Sequence, residues 1–311
     1  MTLALLFPGQ GAQRPGMLHT LPGSDEVTAT LTEAQAICAD LALGPDLDSA
    51  EQLRDTVATQ ISLLTAGVAC ARGLIVDYGV NPQFVAGHSV GAFAAAVIAE
   101  VLTLREALTA VLRRAEAMRA ACAAGIWGMA AITGLSTGAA EQLAISVSTP
   151  REPLWVANVN SATQTVLGGT VTALEAARLG AGDAGATAFE RLDVAVASHG
   201  PVQNGTAGIL HGFLSEVPRR TATARYVTNT GGRSAASPDA VLDDLANSVA
   251  RPVRWYDGVR LMTELGVTCT IETPPGHALT RLVASISPGL AAVAVSDEDL
   301  SGAAAWARRR R

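Results

Sequence analysis

The sequence predicts an α/β fold, with a mostly parallel sheet covered by helices and a second, smaller α+β unit inserted into it. Three observations predict it. Strand-like apolar runs alternate with helical patterns through most of the 311 residues, as expected when strands are joined by helical crossovers. Between Trp127 and Val194 the rhythm tightens to strand, helix, two strands, helix, strand. At Gly87-His88-Ser89-Val90-Gly91, a glycine-flanked serine stands between the apolar run Phe84-Val85-Ala86 and the alanine-rich helical stretch Ala92 to Leu102.

In chain order, Leu3 to Phe7 reads as a buried strand closed by Pro8-Gly9-Gln10-Gly11, and two helical regions precede the strand that leads to Ser89. Arg105 to Ala121 follows as a helix whose apolar and arginine residues separate a core face from a solvent face. Met129 to Leu135 is then a strand, Thr137 to Ser148 a helix, Leu154 to Asn160 and Thr165 to Gly168 two strands, Val171 to Leu179 a helix, and Thr187 to Val194 a last strand. That order is βαββαβ, the ferredoxin-like arrangement. Such a unit is self-contained. It divides the chain into a large domain's first part at 1–125, a small domain at 126–195 and the large domain's second part at 196–311, with the return to the main sheet near Ala195. Further strands are expected at Tyr226 to Asn229, Val267 to Thr273 and Ala291 to Ser296, separated by helices around Val241, Tyr256 and Leu279.

Composition narrows the function classes. A chain that is 49% hydrophobic can bury a large core. Its formal charge of -6 and few charged residues leave no electrostatic footprint for nucleic acid; the only dense basic run, Arg308 to Arg311, is expected to be a solvated tail. There is no lysine, so lysine chemistry is excluded. Cys38, Cys70, Cys122 and Cys269 show neither metal-ligand spacing nor a disulfide framework, and their apolar settings suit buried thiols in a reducing compartment. Met1 to Phe7 lacks a basic leader and breaks at Pro8, and no apolar run approaches the length of a membrane span. The expectations are a cytoplasmic location and no membrane or metal partner.

The serine pentapeptide has the context of a nucleophile elbow, in which a strand turning sharply into a helix lifts a hydroxyl onto a strained apex. The large domain is accordingly expected to be hydrolase-like. A serine needs a base, and five histidines are available. His19 sits in a loop, His88 inside the elbow, His211 in a helical pattern and His277 after Pro274-Pro275-Gly276. His199, in Ala197-Ser198-His199-Gly200, falls where the chain re-enters the large domain, a favoured place for a cleft. No acidic residue stands out as a third member, so a Ser-His dyad is expected, with a backbone carbonyl setting the imidazole tautomer.

Phe7-Pro8-Gly9-Gln10-Gly11-Ala12-Gln13, the elbow at Ser89, Arg114 followed by Met118, Ser198-His199 and Pro252-Val253-Arg254-Trp255 occur in that order. Together they resemble the malonyl-CoA:acyl-carrier-protein transacylase family, over nearly the whole chain. The resemblance implies Ser89 as nucleophile and His199 as its base. The backbone N–H groups of Gln10 and Val90 would form the oxyanion hole, and Arg114 would clamp the free carboxylate of a malonyl group. Small Ser198 leaves room for that carboxylate, Asn158 and Asn160 match part of the cleft wall, and Ser248 replaces the family's usual glutamine while still offering a main-chain carbonyl to His199. No metal or bound cofactor is implied; malonyl-CoA is the substrate and an acyl carrier protein the partner.

Leu47 to Arg54, Thr228 to Arg233 and Pro274 to His277 are similar to the epsilon subunit of malonate decarboxylase, whose carrier arm is a phosphoribosyl-dephospho-CoA group in place of phosphopantetheine. That branch is the favoured expectation, with the fatty-acid-synthesis transacylase as the alternative. A serine thioesterase and a non-catalytic subunit are the options from other classes.

Overall fold

All five residues of β1 (Leu3–Phe7) are buried, and their side chains alternate between two cores. Leu3, Leu5 and Phe7 point into one cluster, and Ala4 and Leu6 into another. That two-sided burial places β1 in the middle of a sheet covered on both faces. The computed structural model describes residues 2–123, 126–194 and 196–310. The expected joints at Gly125 and Ala195, with Met1 and Arg311 at the ends, lie outside the described residues.

After β1 come α1 (Asp25–Asp40), capped by Ser24, and α2 (Thr56–Val76), capped by Asp55. By length and composition α2 could cross a membrane, which corrects the sequence expectation that no segment is long enough. Its most apolar window is 83% buried inside the protein, where α2 packs against α1 and the later helices Gly91–Ile98 and Leu104–Cys122. Next are β2 (Phe84–Gly87), α3 (Gly91–Ile98) and α4 (Leu104–Cys122). The helix expected as far as Leu102 stops at Ile98 because Glu100 turns to φ +62°. Thr103 and Glu106 then open α4 with a reciprocal capping box.

The chain next builds β3 (Trp127–Thr133), α5 (Thr137–Val147), β4 (Leu154–Val159), β5 (Gln164–Thr170), α6 (Val171–Ala181) and β6 (Ala188–Arg191). These strands form an antiparallel sheet in the order β4-β5-β3-β6, the ferredoxin-like order, with a core of its own around Ile132, Leu143, Leu167 and Leu174.

The remainder contributes α7 (Asn204–Ser215), β7 (Arg225–Val227), β8 (Ser234–Ala235), α8 (Pro238–Asn247), α9 (Trp255–Glu264), β9 (Cys269–Glu272), α10 (Ala278–Ile286), β10 (Ala291–Ala294) and α11 (Val295–Arg308). The main sheet runs β10-β9-β1-β2-β7-β8, parallel except for the short edge strand β8. The sequence did not anticipate β8 or α11; the last strand ends at Ala294, two residues early, because Val295 begins a helix. The basic terminus is exposed but tied down: Arg308 donates to the Tyr78 carbonyl at 3.1 Å, and Arg310 stacks 3.9 Å over Trp306.

Candidate active site

Ser89 stands between the end of β2 and the start of α3 with φ +55°, a left-handed conformation that a side chain adopts only when its surroundings enforce it. The close crossing depends on two glycines. A methyl group on Gly91 would lie 2.2 Å from the Phe7 carbonyl oxygen, and one on Gly87 would lie 2.0 Å from the carbonyl carbon of Gly91. Asn229, just beyond β7, clips the turn from below. Its Oδ1 accepts the Ser89 N–H at 2.8 Å and its Nδ2 donates to the Gly87 carbonyl at 2.8 Å. Asn229 is itself anchored, because its N–H donates to Asp244 Oδ2 at 2.9 Å, and buried Asp244 also accepts from Tyr226 Oη and from Thr230.

His199 meets the serine from the segment that leaves the second sheet. Its Nε2 lies 2.8 Å from Ser89 Oγ, and its Nδ1 lies 2.6 Å from the Ser248 carbonyl oxygen. A carbonyl can only accept, so Nδ1 carries the proton and Nε2 is free to take one from the serine. His199 also has a positive φ, +59°, and its N–H donates to the Val249 carbonyl at 2.7 Å. Burial pushes its imidazole down to about 3, and the neighbouring Arg114 charge adds to that shift. At neutral pH the ring is uncharged and ready to act as a base.

Arg114 comes from the middle of α4 and is almost wholly buried, at 1% exposure. Its Nη2 donates to Ser89 Oγ at 3.0 Å and its Nη1 to Gln60 Oε1 at 2.5 Å, while Nε has no partner among the described residues. Burial draws the guanidinium down to about 10, which leaves it charged at neutral pH. Among the described residues no carboxylate lies within ion-pair distance of it. A buried cation without a counter-charge is costly unless a ligand supplies one.

These side chains line a cleft of about 400 Å³ between the two sheets, which also takes in Gln10, Val90, Asn158, Asn160 and Ser198. Its charged lining residues among the described ones are Arg114 at the floor and exposed Arg281 at the rim. Among the described residues neither the Gln10 nor the Val90 N–H has a protein acceptor. Val90 immediately precedes α3, where backbone donors are unpaired and the helix dipole favours negative charge. Asn158 Nδ2 and Asn160 Oδ1 lie 3.2 and 3.1 Å from Nε2 of His88, whose half-buried ring packs against Trp255. They line the cleft while gripping the elbow from the second sheet. Ser198 Oγ contacts Met129 Sδ at 3.3 Å. Of the remaining histidines, His19 pairs with Asp48, His277 with Asp297, and His211 is exposed; none lines the cleft.

The cleft thus brings every sequence-predicted site residue together except Ser248, whose carbonyl reaches it through His199. Sequence reasoning missed Gln60, Asn229 and Asp244. Gln60 is a polar residue facing inward from the buried apolar helix α2, and that mismatch is a signal in principle. Asn229 and Asp244 are polar residues whose importance depends on contacts across 140 and 15 positions of chain.

Residues 4–303 match the family model described as the acyl transferase domain. The malonyl CoA-acyl carrier protein transacylase of Escherichia coli (strain K12) is 33% identical over 308 residues, covering 97% of this chain and 98% of that relative. Its namesake from Bacillus subtilis (strain 168) is 31% identical over 303 residues, with 96% and 94% covered. The transacylase structure from Coxiella burnetii superposes with a TM-score of 0.89 at 28% identity, covering 100% and 98% of the two chains. A malonyl-transacylase solved in complex with a type II PKS acyl-carrier protein gives a TM-score of 0.88 at 31% identity, with 100% of both chains covered. These relatives back the acyl-carrier-protein transacylase over the malonate decarboxylase subunit that three sequence segments had favoured.

Proposed function

This chain belongs to the acyl transferase domain family, and we propose that it carries a malonyl group from malonyl-CoA to the thiol on an acyl carrier protein's prosthetic arm. The observation that carries the proposal is the buried, carboxylate-free Arg114 guanidinium 3.0 Å from a serine hydroxyl that also touches His199. A thioester whose acyl group ends in a carboxylate completes that site, because the fork can pair with two oxygens at once. Acetyl leaves the fork unpaired and is disfavoured.

In the first half-reaction His199 Nε2 takes the Ser89 proton as Oγ attacks the thioester carbonyl. The developing oxyanion is received by the N–H of Gln10, in the loop after β1, and that of Val90, at the start of α3. The proton passes from the imidazolium to the departing CoA thiolate, leaving a malonyl-serine ester. In the second half-reaction the carrier thiol gives its proton to His199, attacks the ester and releases Ser89. The Ser248 carbonyl holds the Nδ1–H tautomer throughout, so no carboxylate is needed.

We take 126–195 as a small ferredoxin-like domain inserted into a large one at 1–125 and 196–311, supported by its separate sheet and separate core. We take phosphopantetheine as the arm, the one that goes with the fatty-acid-synthesis alternative; preferential transfer to a phosphoribosyl-dephospho-CoA arm would restore the decarboxylase reading. A cytoplasmic location accords with the four free, buried cysteines. The test is intact-protein mass after brief incubation with malonyl-CoA or acetyl-CoA. A malonyl increment that requires Ser89, and whose preference over acetyl requires Arg114, supports the proposal. No adduct on folded protein points to a non-catalytic subunit, and rapid release of free malonate points to a hydrolase.

A further inference from the structure

We propose that Arg281, at the rim of the cleft, binds the phosphate esterified to the pantetheine arm, a group common to CoA and to a carrier protein's prosthetic arm. This rests on the malonyl-transfer reading and adds the second anion that the cleft recognises. Two arginines, one buried and one exposed, are the charged side chains lining the cleft among the described residues. A malonyl thioester carries a carboxylate at one end and phosphate beyond the other end of its arm, and the two cations match that order.

Arg281 is held in place. Asp297 Oδ1 lies 3.2 Å from His277 Nδ1, so the carboxylate accepts the Nδ1 proton and leaves Nε2 as an acceptor. The Arg281 Nη2 donates to that Nε2. One edge of the guanidinium is thereby fixed by His277, and among the described residues its remaining donors have no protein acceptor. Among the described residues no carboxylate lies within ion-pair distance of Arg281. Buried Glu272 secures the base of α10 by accepting the N–H groups of Leu279 and Thr280. Arg14, which among the described residues has no carboxylate within ion-pair distance, reaches the same loop: a methyl group on Gly276 would lie 3.7 Å from its Nη2.

Four other arginines lack this freedom. Arg219, Arg220 and Arg254 are each 2.7 Å from a carboxylate of the same chain, and Arg113 stacks 4.5 Å over the Phe213 ring. These four side chains are already engaged within the chain.

The test measures kcat/KM for acylation of Ser89 by malonyl-pantetheine, malonyl-phosphopantetheine and malonyl-CoA, in wild type, Arg281→Gln and Arg14→Gln/Arg281→Gln. The expected result is a fall in the phosphopantetheine-to-pantetheine ratio of roughly threefold to tenfold in Arg281→Gln, as for an exposed charge-assisted contact. The ratio should also lose its dependence on salt. Ratios that stay within about twofold of wild type would overturn the proposal; so would a loss confined to malonyl-CoA, which would place the contact on the nucleotide's phosphates. If wild type fails to be acylated even by malonyl-pantetheine, the malonyl-transfer reading fails, not the assignment of Arg281.

Discussion

His199 Nδ1 lies 2.6 Å from the main-chain carbonyl oxygen of Ser248, so a backbone atom orients the imidazole where many serine enzymes use a carboxylate. The proposed catalytic pair therefore carries no fixed negative charge, which leaves the nearby Arg114 free to attract one.

Because the Ser248 side chain is not the acceptor, its removal should be tolerated. Ser248→Ala loses one buried hydrogen bond, from Oγ to the Leu245 carbonyl at 3.3 Å, worth about 1 kcal/mol. Steady-state malonyl transfer should stay within about threefold of wild type. A loss of a hundredfold would mean that the side chain has a role the geometry does not give it.

Arg114 should show opposite effects on activity and stability. Arg114→Met is expected to lower kcat/KM for malonyl-CoA by roughly a hundredfold, the value of a charge-assisted fork, and to abolish the preference over acetyl-CoA. Its thermal midpoint should equal or exceed that of wild type, because the substitution removes a buried cation whose Nε is unpaired. Calorimetry of the ligand-free protein checks this; a drop of several degrees would show that the Gln60 and Ser89 contacts outweigh the desolvation.

Buried, neutral His199 sets two pH dependences. Its folded-state pKa, about 3, lies below the ordinary 6.5, so kcat/KM for malonyl-CoA should stay flat as pH falls from 7 to 5. Half-loss near 6.5 would show an ordinary solvated imidazole. Between about 6.5 and 3 the unfolded chain binds a proton at this position that the folded chain does not, so stability must fall as pH falls through that window. His88, also lowered by burial, acts in the same direction. Urea titrations at pH 7 and 5 should therefore show a smaller acid penalty for His199→Gln than for wild type.

Asn229 is a positioning residue. Asn229→Ala removes both clips on the elbow and should reduce kcat by roughly tenfold to a hundredfold with little change in KM. Asn229→Asp should fare no better, since it sets an oxygen against the Gly87 carbonyl. A parallel rise in KM with kcat unchanged would contradict the assignment.

The α/β class, the βαββαβ unit, the elbow and the His199 candidate were legible in the chain because each depends on local signals: periodicity, glycines about a serine, a turn at a histidine. Helix ends were less legible, as at Ile98, where the left-handed turn at Glu100 falls on no glycine or asparagine. Strand β8 and helix α11 escaped notice because β8 is two residues long and α11 is interrupted at Asp299.

By itself the sequence determined which groups were available: one elbow serine, five histidines, and arginines as the fixed side-chain cations in a chain without lysine. Only the tertiary structure decided which of them act together. Arg113 and Arg114 are adjacent in sequence, yet the pitch of α4 turns one onto a surface phenylalanine and buries the other beside Ser89. Gln60, Arg114, His199 and Asn229 come from four separate segments, and their contacts arise because a parallel sheet gathers distant chain at the ends of its strands. Local propensity reports the backbone's preferences over a few residues. The field and the hydrogen bonds around a buried group belong to whatever the whole chain packs against it.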